Sequence, residues 1–432
     1  MSQDLTRTMP WQPTAALLRA VAVTVVPIVI ALISRRPDLL IVAAPFAVVT
    51  AWSMISKPTH APRFDDALGH PTLREGDATT WRGTVSGVSD ADLAIAVVDH
   101  DAWVETRPAC GVVTAPGDAG RAALEMALRS NRWGVRTIER VHVVAVSPWA
   151  AFGWSTVTAP RSIATLPVPG VFDVRASPRP HDGLVGLHRS TRSGDGNEFA
   201  GLRAFRSGDR MRRINWPRSV RVGELQVNGT WADLDTHVAL VVDATDDLGI
   251  SEGIDGRASS LDVTVRAAGA IAEHYATRGE RVSLQTFGAR VGQTVPPASG
   301  RAQLRRVLDR MSRIQPGGAA GMGRPAVRQV AGSRMTVLLS PLISPDVLDQ
   351  AVTLGRRGLS VVVIDTLPED VIDQDDDLTA IAWRIRLLER RREIRMVAAA
   401  GIPVVRWRGP GSLDQVIRDI AQRTTGPRMV RR

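Results

Sequence analysis

Residues 237–249, HVALVVDATDDLG, run from an apolar stretch into Asp243, Thr245, Asp246 and Asp247. Oxygen atoms at 243, 245 and 247 suit a hard divalent cation, because magnesium takes near-octahedral oxygen ligands. Without a cation, adjacent carboxylates persist only if they are solvated or paired with arginine. The cluster therefore has two readings: a metal site, or a polar loop at the end of a strand.

Other chemistries have little to work with. The eight histidines (His60, His70, His100, His142, His181, His188, His237 and His274) form no H-E-x-x-H motif and no close pair. No Walker A sequence is present, so any ATP hydrolysis must come from a partner. The stretch GLHRS is not a G-x-S-x-G elbow. Asp365 ends the apolar run VVVID without an accompanying base or nucleophile, which makes it a helix or loop cap. A single cysteine, Cys110, excludes an internal disulfide and a cysteine-based zinc site.

The chain has 432 residues, enough for two or three domains, and its 44% hydrophobic content excludes wholesale disorder. Net charge is +10, carried almost wholly by arginine, since Lys57 is the only lysine. Guanidinium forks suit carboxylate and phosphate groups, on the protein's own surface or on an anionic partner. Two stretches concentrate them. Seven arginines lie between Arg203 and Arg221, interleaved with Phe205, Ile214 and Trp216. Glu198 and Asp209 are placed to pair with them internally, and no recognisable nucleic-acid module accompanies them, so nucleic acid is not expected as a partner. The second stretch, RIRLLERRREIR at residues 384–395, reads as a solvated helix face with salt bridges from Glu389 and Glu393, or as a surface for anionic lipid.

The elements that must position these groups follow from hydropathy. Residues 15–33 and 39–55 are apolar and each close to the ~20 residues that cross a bilayer. A second apolar run directly after the first argues for a helical hairpin rather than a signal peptide. Trp11 and Trp52 near its ends are expected at the membrane interfaces. Arg7, Arg19, Lys57 and Arg63 outweigh Arg35 and Arg36 in the turn, which favours a two-pass cell-membrane protein with its bulk in the cytoplasm. From 57 to 178 short β-branched runs alternate with Gly, Pro and Asp, as in an all-β sandwich, with one helix expected at GRAALEMALRS. A polar, glycine-punctuated bridge spans 179–235. From 236 to 432 solid apolar strands alternate with amphipathic helices, the pattern of a doubly wound α/β domain with a parallel sheet covered on both faces. Its expected helices include one started by a Ser344 cap with Pro345 at its first position, a long one over about 377–400, and a closing one at SLDQVIRDIAQR.

Gly196, Glu198, Phe199, Gly201, Arg203, Phe205, Gly208, Asp209, Arg213, Asn215, Trp216 and Arg221, at their fixed spacing, resemble the signature of the domain-of-unknown-function family 58 (DUF58) proteins. The stretch from Arg132 to Trp154 is similar to the segment such proteins carry before it, and Pro217 departs from the basic or polar residue usual after the tryptophan. The resemblance implies two membrane spans, a β-sandwich and a von Willebrand factor type A-like domain, working with a MoxR-type AAA+ ATPase in assembly or maturation of other complexes, with cell-envelope complexes as the expected class. In a type A domain the cation site takes a threonine and an aspartate from two further loops. Here QPGGAAG puts Ala319 in the first place, and LLSPLIS puts Pro341 in the second with only Ser340 nearby. Asp243, Thr245 and Asp247 then form a degenerate metal site, with weakly held magnesium as the only cofactor to consider.

The expectation is a membrane-anchored, multidomain, non-enzymatic scaffold that binds protein partners, with no catalytic residues. Its signature residues (Glu198, Phe199, Arg203, Gly208, Asp209, Arg213, Asn215, Trp216 and Arg221) serve partner binding or structure. The alternative is a membrane-surface organiser that binds anionic lipid through its arginine-rich segments.

Overall fold

Thr14 caps the first helix, its hydroxyl accepting the Leu17 amide at 3.4 Å. That helix, α1 (Ala15–Ser34), and its successor α2 (Asp38–Ile55) are joined by a turn in which Arg35 takes a left-handed conformation. At 1.5 Å per residue they measure about 30 and 27 Å, long and apolar enough to cross a membrane. Leu32, Ile33, Ile41 and Ile55 lie uncovered along them, while Thr24 and Thr50 meet between them at 3.5 Å. Trp52 is exposed. Trp11 is not: it is buried, and its indole N–H donates to the His60 carbonyl at 3.0 Å. A buried indole requires an acceptor, and the chain leaving α2 supplies one.

This computed structural model describes residues 10–89, 92–168, 193–206, 211–231, 237–317, 335–369, 371 and 377–408. It divides into two units, Met1–Pro167 with Glu252–Arg257, and Val168–Ser251 with Ala258–Arg432.

Beyond the hairpin, the first unit is built of β1 (Gln12–Pro13), β2 (Arg63–Leu68), β3 (Thr72–Arg74), β4 (Ala78–Ser86), β5 (Leu93–His100), β6 (Val104–Arg107), β7 (Val112–Pro116), β8 (Arg121–Ser130), β9 (Gly134–Val146), β10 (Phe152–Val157) and β11 (Arg161–Leu166). One sheet runs β1-β10-β9-β11-β3, with β5 pairing both β9 and β7; the other runs β2-β4-β8-β6. Pairing is antiparallel except between β11 and β3. Alternate residues of both sheets, among them Trp81, Leu124, Met126, Leu128, Val143 and Ile163, join one buried cluster. Each such side chain contributes about 1.5–3 kcal/mol by leaving water.

The helix expected at GRAALEMALRS is instead the strand β8. Ala122, Leu124, Met126 and Leu128 are buried while Ala123, Glu125 and Arg129 face outward or part-way out, a period of two. Its Ala, Leu, Glu and Met residues are strong helix formers, but pairing along the whole of β4 and burial of one face override that local preference.

In the second unit β12 (Ser193–Ala204) pairs antiparallel with β13 (Gln226–Trp231), and the chain between them forms the short helix α3 (Trp216–Val222). Then follow β14 (His237–Asp243), α4 (Ser260–Thr277), β15 (Arg281–Phe287), β16 (Thr294–Ala298), α5 (Gly300–Met311), β17 (Met335–Ser340), α6 (Pro345–Arg356), β18 (Val361–Asp365), α7 (Asp377–Ala399) and β19 (Val404–Arg406). The six-stranded sheet has the order β16-β15-β14-β17-β18-β19, parallel except for the edge strand β16. Every residue of β14 is buried. Because successive side chains point to opposite faces, both faces must be covered. Val241, Leu338 and Val363 stand in register and join the core that α6 and α7 close, whereas α4 lies along β14, β15 and β17 and packs against α5. Pro345 opens α6 after Ser344, as expected, but the Ser344 side chain makes no capping bond. Residues 412–423, expected as the closing helix, lie outside the described residues.

Candidate functional site: the carboxyl ends of the parallel sheet

β14 is flanked by β15 on one side and β17 on the other, so the loops leaving β14 and β17 diverge there. Such a switch point is where open α/β sheets usually bind ligands. Asp243 ends β14 and Ser340 ends β17, one step beyond the register pair Val242 and Leu339. The Ser340 hydroxyl donates to Asp243 Oδ2 at 2.6 Å and accepts the Leu342 amide at 2.9 Å. Asp243 Oδ1 accepts from the Thr245 hydroxyl at 2.7 Å and the Thr245 amide at 3.0 Å. Burial raises the Asp243 pKa. The bonds from Ser340 and Thr245 work against that rise, and the nearby Asp246 adds to it.

Asp247 is engaged elsewhere: its Oδ1 accepts the Leu261 amide at 3.1 Å, in the first turn of α4. A carboxylate there complements the positive end of the helix. Ser259 and Asp262 close the same end with a reciprocal capping box. Of the three sequence candidates, Asp243 and Thr245 are therefore brought together and Asp247 is held by α4. Ala319 lies outside the described residues. Among the described residues no three His, Cys, Asp or Glu side chains converge on one point. Both oxygens of Asp243 accept hydroxyl or amide protons, which ties the ends of β14 and β17 together.

Asp365, at the end of β18, does cap its loop, accepting the Leu367 amide at 3.1 Å. It also forms a buried ion pair with Arg390 of α7, whose Nε donates to the Pro341 carbonyl at 3.0 Å. Arg386, one turn earlier, grips Glu393 at 2.9 and 3.1 Å and donates to the Ile343 carbonyl at 3.1 Å. Donating to the Glu393 carboxylate raises the already high pKa of Arg386. Two arginines of residues 384–395 thus turn inward to hold the loop after β17, rather than forming part of a solvated face. The signal was present in the sequence: Arg386 and Arg390 fall at helical spacing within the row Trp383, Leu387, Ile394 and Val397 that α7 turns toward the sheet.

Beside this pair, α7 and the ends of β18 and β19 enclose a cavity of about 290 Å³ lined by Trp383, Leu387, Arg390, Arg391 and Arg406 together with Asp365 and Glu369. Sequence reasoning did not assemble this group, because its members come from three elements.

The signature segment has its own geometry. Asn215 caps α3 by accepting the Arg218 amide at 3.2 Å, donates to Asn228 Oδ1 at 3.1 Å, and sends its own amide to the Gln226 carbonyl at 2.8 Å. Ser219 joins them by donating to the Asn215 carbonyl and accepting the Gln226 amide, each at 2.8 Å. Asn215 is a structural hub. Trp216, next to it, is 60% exposed, and Val220 is 81% exposed one turn on. Arg221 and Met211 are also exposed, whereas Arg203 donates to the Ala204 carbonyl at 3.2 Å and Arg213 is engaged by neighbours. Glu198 and Phe199 lie in β12 with their side chains outside the described set, and Gly208 and Asp209 lie outside the described residues.

No curated protein matches this chain. Solved structures similar to parts of it include the ASH/PapD-like domain of human CEP192, at 10% identity and a TM-score of 0.19, covering 26% of this chain and 93% of that one. A conjugative transposon lipoprotein from Bacteroides eggerthii is similar at 7% identity and a TM-score of 0.15, covering 23% and 97%. The bacterial hydrophobin BslA is similar at 11% identity and a TM-score of 0.15, covering 24% and 98%. Scores this low carry no argument about this chain. Residues 201–393 match the model of the family described as Protein of unknown function DUF58.

Proposed function

We propose that this protein is a membrane-tethered, non-enzymatic adaptor that grips a protein partner through the exposed face of α3. The observation that carries the reading is the contrast within the signature: Asn215 is locked by hydrogen bonds on both sides, while Trp216, Val220 and Met211 stand in solvent. Large apolar side chains held outward by a rigid turn are the make-up of an interface hot spot. Arg218 and Arg221 on the same short helix add charge-assisted donors for an acidic rim. The strand ends support a partner-binding role without a bridging cation, since the Asp243 carboxylate is spent on Thr245 and Ser340.

In this reading the first unit is a β-sandwich, the six-stranded domain is von Willebrand factor A-like, and both lie on the cytoplasmic side. The partner is a MoxR-type AAA+ ATPase or its client in assembly of other complexes, as the family resemblance implies. The test is cross-linked capture of the full-length protein from native membranes, comparing wild type with Trp216→Ala. Recovery of such an ATPase or a client with wild type, reduced at least about tenfold by the substitution, is expected from the energy of a buried tryptophan anchor. Equal recovery with both proteins would sink the α3 assignment.

A second reading is favoured by the outward side of α7. Ile381, Ile385 and Leu388 are exposed there, with Arg384, Arg391 and Arg395 exposed along one edge. An apolar row bordered by arginines suits the headgroup region of an anionic bilayer. Hydrogen exchange in nanodiscs decides it: α7 amides should slow in anionic relative to neutral lipid and recover in high salt.

A further inference from the structure

We infer that the cavity between α7 and the ends of β18 and β19 is a binding site for a carboxylate carried on an apolar or aromatic group. The argument begins with charge. Arg390 is neutralised in place by Asp365, both buried, and its Nε is spent on the Pro341 carbonyl. Arg406 meets Glu369 at 3.2 Å, but that carboxylate side chain is 78% exposed, so an incoming anion can replace it at little cost. Arg391 lines the same cavity and makes no ion pair among the described residues. Two guanidinium groups, those of Arg391 and Arg406, therefore line a single space, with the exposed Glu369 carboxylate on Arg406.

Position and shape supply the rest. The cavity, about 290 Å³, opens at the carboxyl ends of parallel strands, and its lining includes Trp383 and Leu387, which precede Arg391 by two turns and one turn on α7. An oxyanion on Arg391 and Arg406 would leave its carrier against the indole and the leucine. Guanidinium forks match a carboxylate with paired hydrogen bonds, and a partly desolvated cavity strengthens them. In this chain the strand-end receptor for an acid is arginine, while the carboxylate at the switch point, Asp243, is bonded internally. The inference stands apart from the α3 surface, since the two sites share no residue.

Full-length protein in neutral-lipid nanodiscs tests this by saturation-transfer NMR with phenylacetate, its neutral analogue phenylacetamide, and a blocked phenylalanyl-glutamyl peptide. Phenylacetate or the peptide should bind, the amide should not, and the double variant Arg391→Gln with Arg406→Gln should bind about tenfold more weakly. Tighter binding of the peptide assigns the carboxylate to a protein partner, and tighter binding of phenylacetate assigns it to a small molecule; either supports the site. Equal binding of acid and amide, no binding of either acid, or undiminished binding by the double variant overturns it. If the double variant melts early, Arg391→Glu alone, on the exposed side of α7, serves in its place. Trp216→Ala should leave phenylacetate binding unchanged, which separates this result from the fate of the α3 surface.

Discussion

Arg390 and Asp365 lie 25 residues apart in the chain, yet their side chains form a buried ion pair at the end of β18. Arg390 also reaches the carbonyl of Pro341, so one guanidinium joins α7 to the ends of two neighbouring strands. Removing one partner of a buried pair strands the other charge. Arg390→Met should therefore destabilise the protein by about 3–5 kcal/mol, whereas Arg390→Met with Asp365→Leu should recover most of that loss. Denaturant unfolding of the two variants checks it, and a near-neutral single substitution would contradict the pairing.

Ser340→Ala removes the hydroxyl that donates to Asp243 and accepts from Leu342, leaving a buried carboxylate short of a donor. A loss of about 1–3 kcal/mol is expected. The pH dependence has a definite sign. Because burial raises the Asp243 pKa, the native state binds a proton more tightly than the unfolded chain does. Stability from this group is complete below its unfolded value of 3.8 and is lost as pH rises through the raised folded value. Asp243→Asn should flatten that slope in a melting series from acid to neutral pH. Added magnesium should leave the wild-type melting temperature unchanged; an increase that disappears in Asp243→Asn would refute the metal-free reading.

His274 gives the opposite slope. Burial, with Arg278 close by, lowers its pKa to about 4, and Arg278 donates to its Nδ1 at 3.2 Å, which fits a neutral ring. The unfolded imidazole takes up a proton near 6.5 while the folded one does not, so stability is lost as pH falls from about 6.5 to about 4. After allowance for solvent screening, the contribution is on the order of 1–2 kcal/mol. His274→Phe should remove this part of the acid sensitivity in calorimetric melts at about pH 4.5 and about pH 7, near the two ends of that window.

Gly83 lies in β4 between the rings of Phe64 and Trp81. A methyl group built there would stand 2.6 Å from the Trp81 ring and 2.9 Å from that of Phe64. Trp81 is fully buried and its indole donates to Asp66 at 3.2 Å, so the ring cannot move without losing that bond. Gly83→Ala should cost about 1–3 kcal/mol by overpacking, read as a lowered unfolding midpoint.

The parts of this protein legible in its sequence are those set by neighbours along the chain. The two apolar helices, the buried runs that became β14, β17 and β18, and α7 over Asp377–Ala399 all follow from local hydropathy and spacing. So does the capping role of Asp365, whose acceptor serves an amide two residues on. Where local preference and long-range pairing disagree, as in β8, the pairing prevails, because β4 supplies a partner along its whole length.

What folding alone decided is which charges meet. The sequence determined that acids and hydroxyls would gather at strand ends and that arginines would crowd α7. Only the tertiary structure brought Ser340 to Asp243, Arg390 to Asp365, and Arg391 with Arg406 around one cavity. The physical reason is range: hydropathic periodicity acts over a few residues, whereas a buried charge is stabilised by whichever donor the packed elements bring within hydrogen-bond reach.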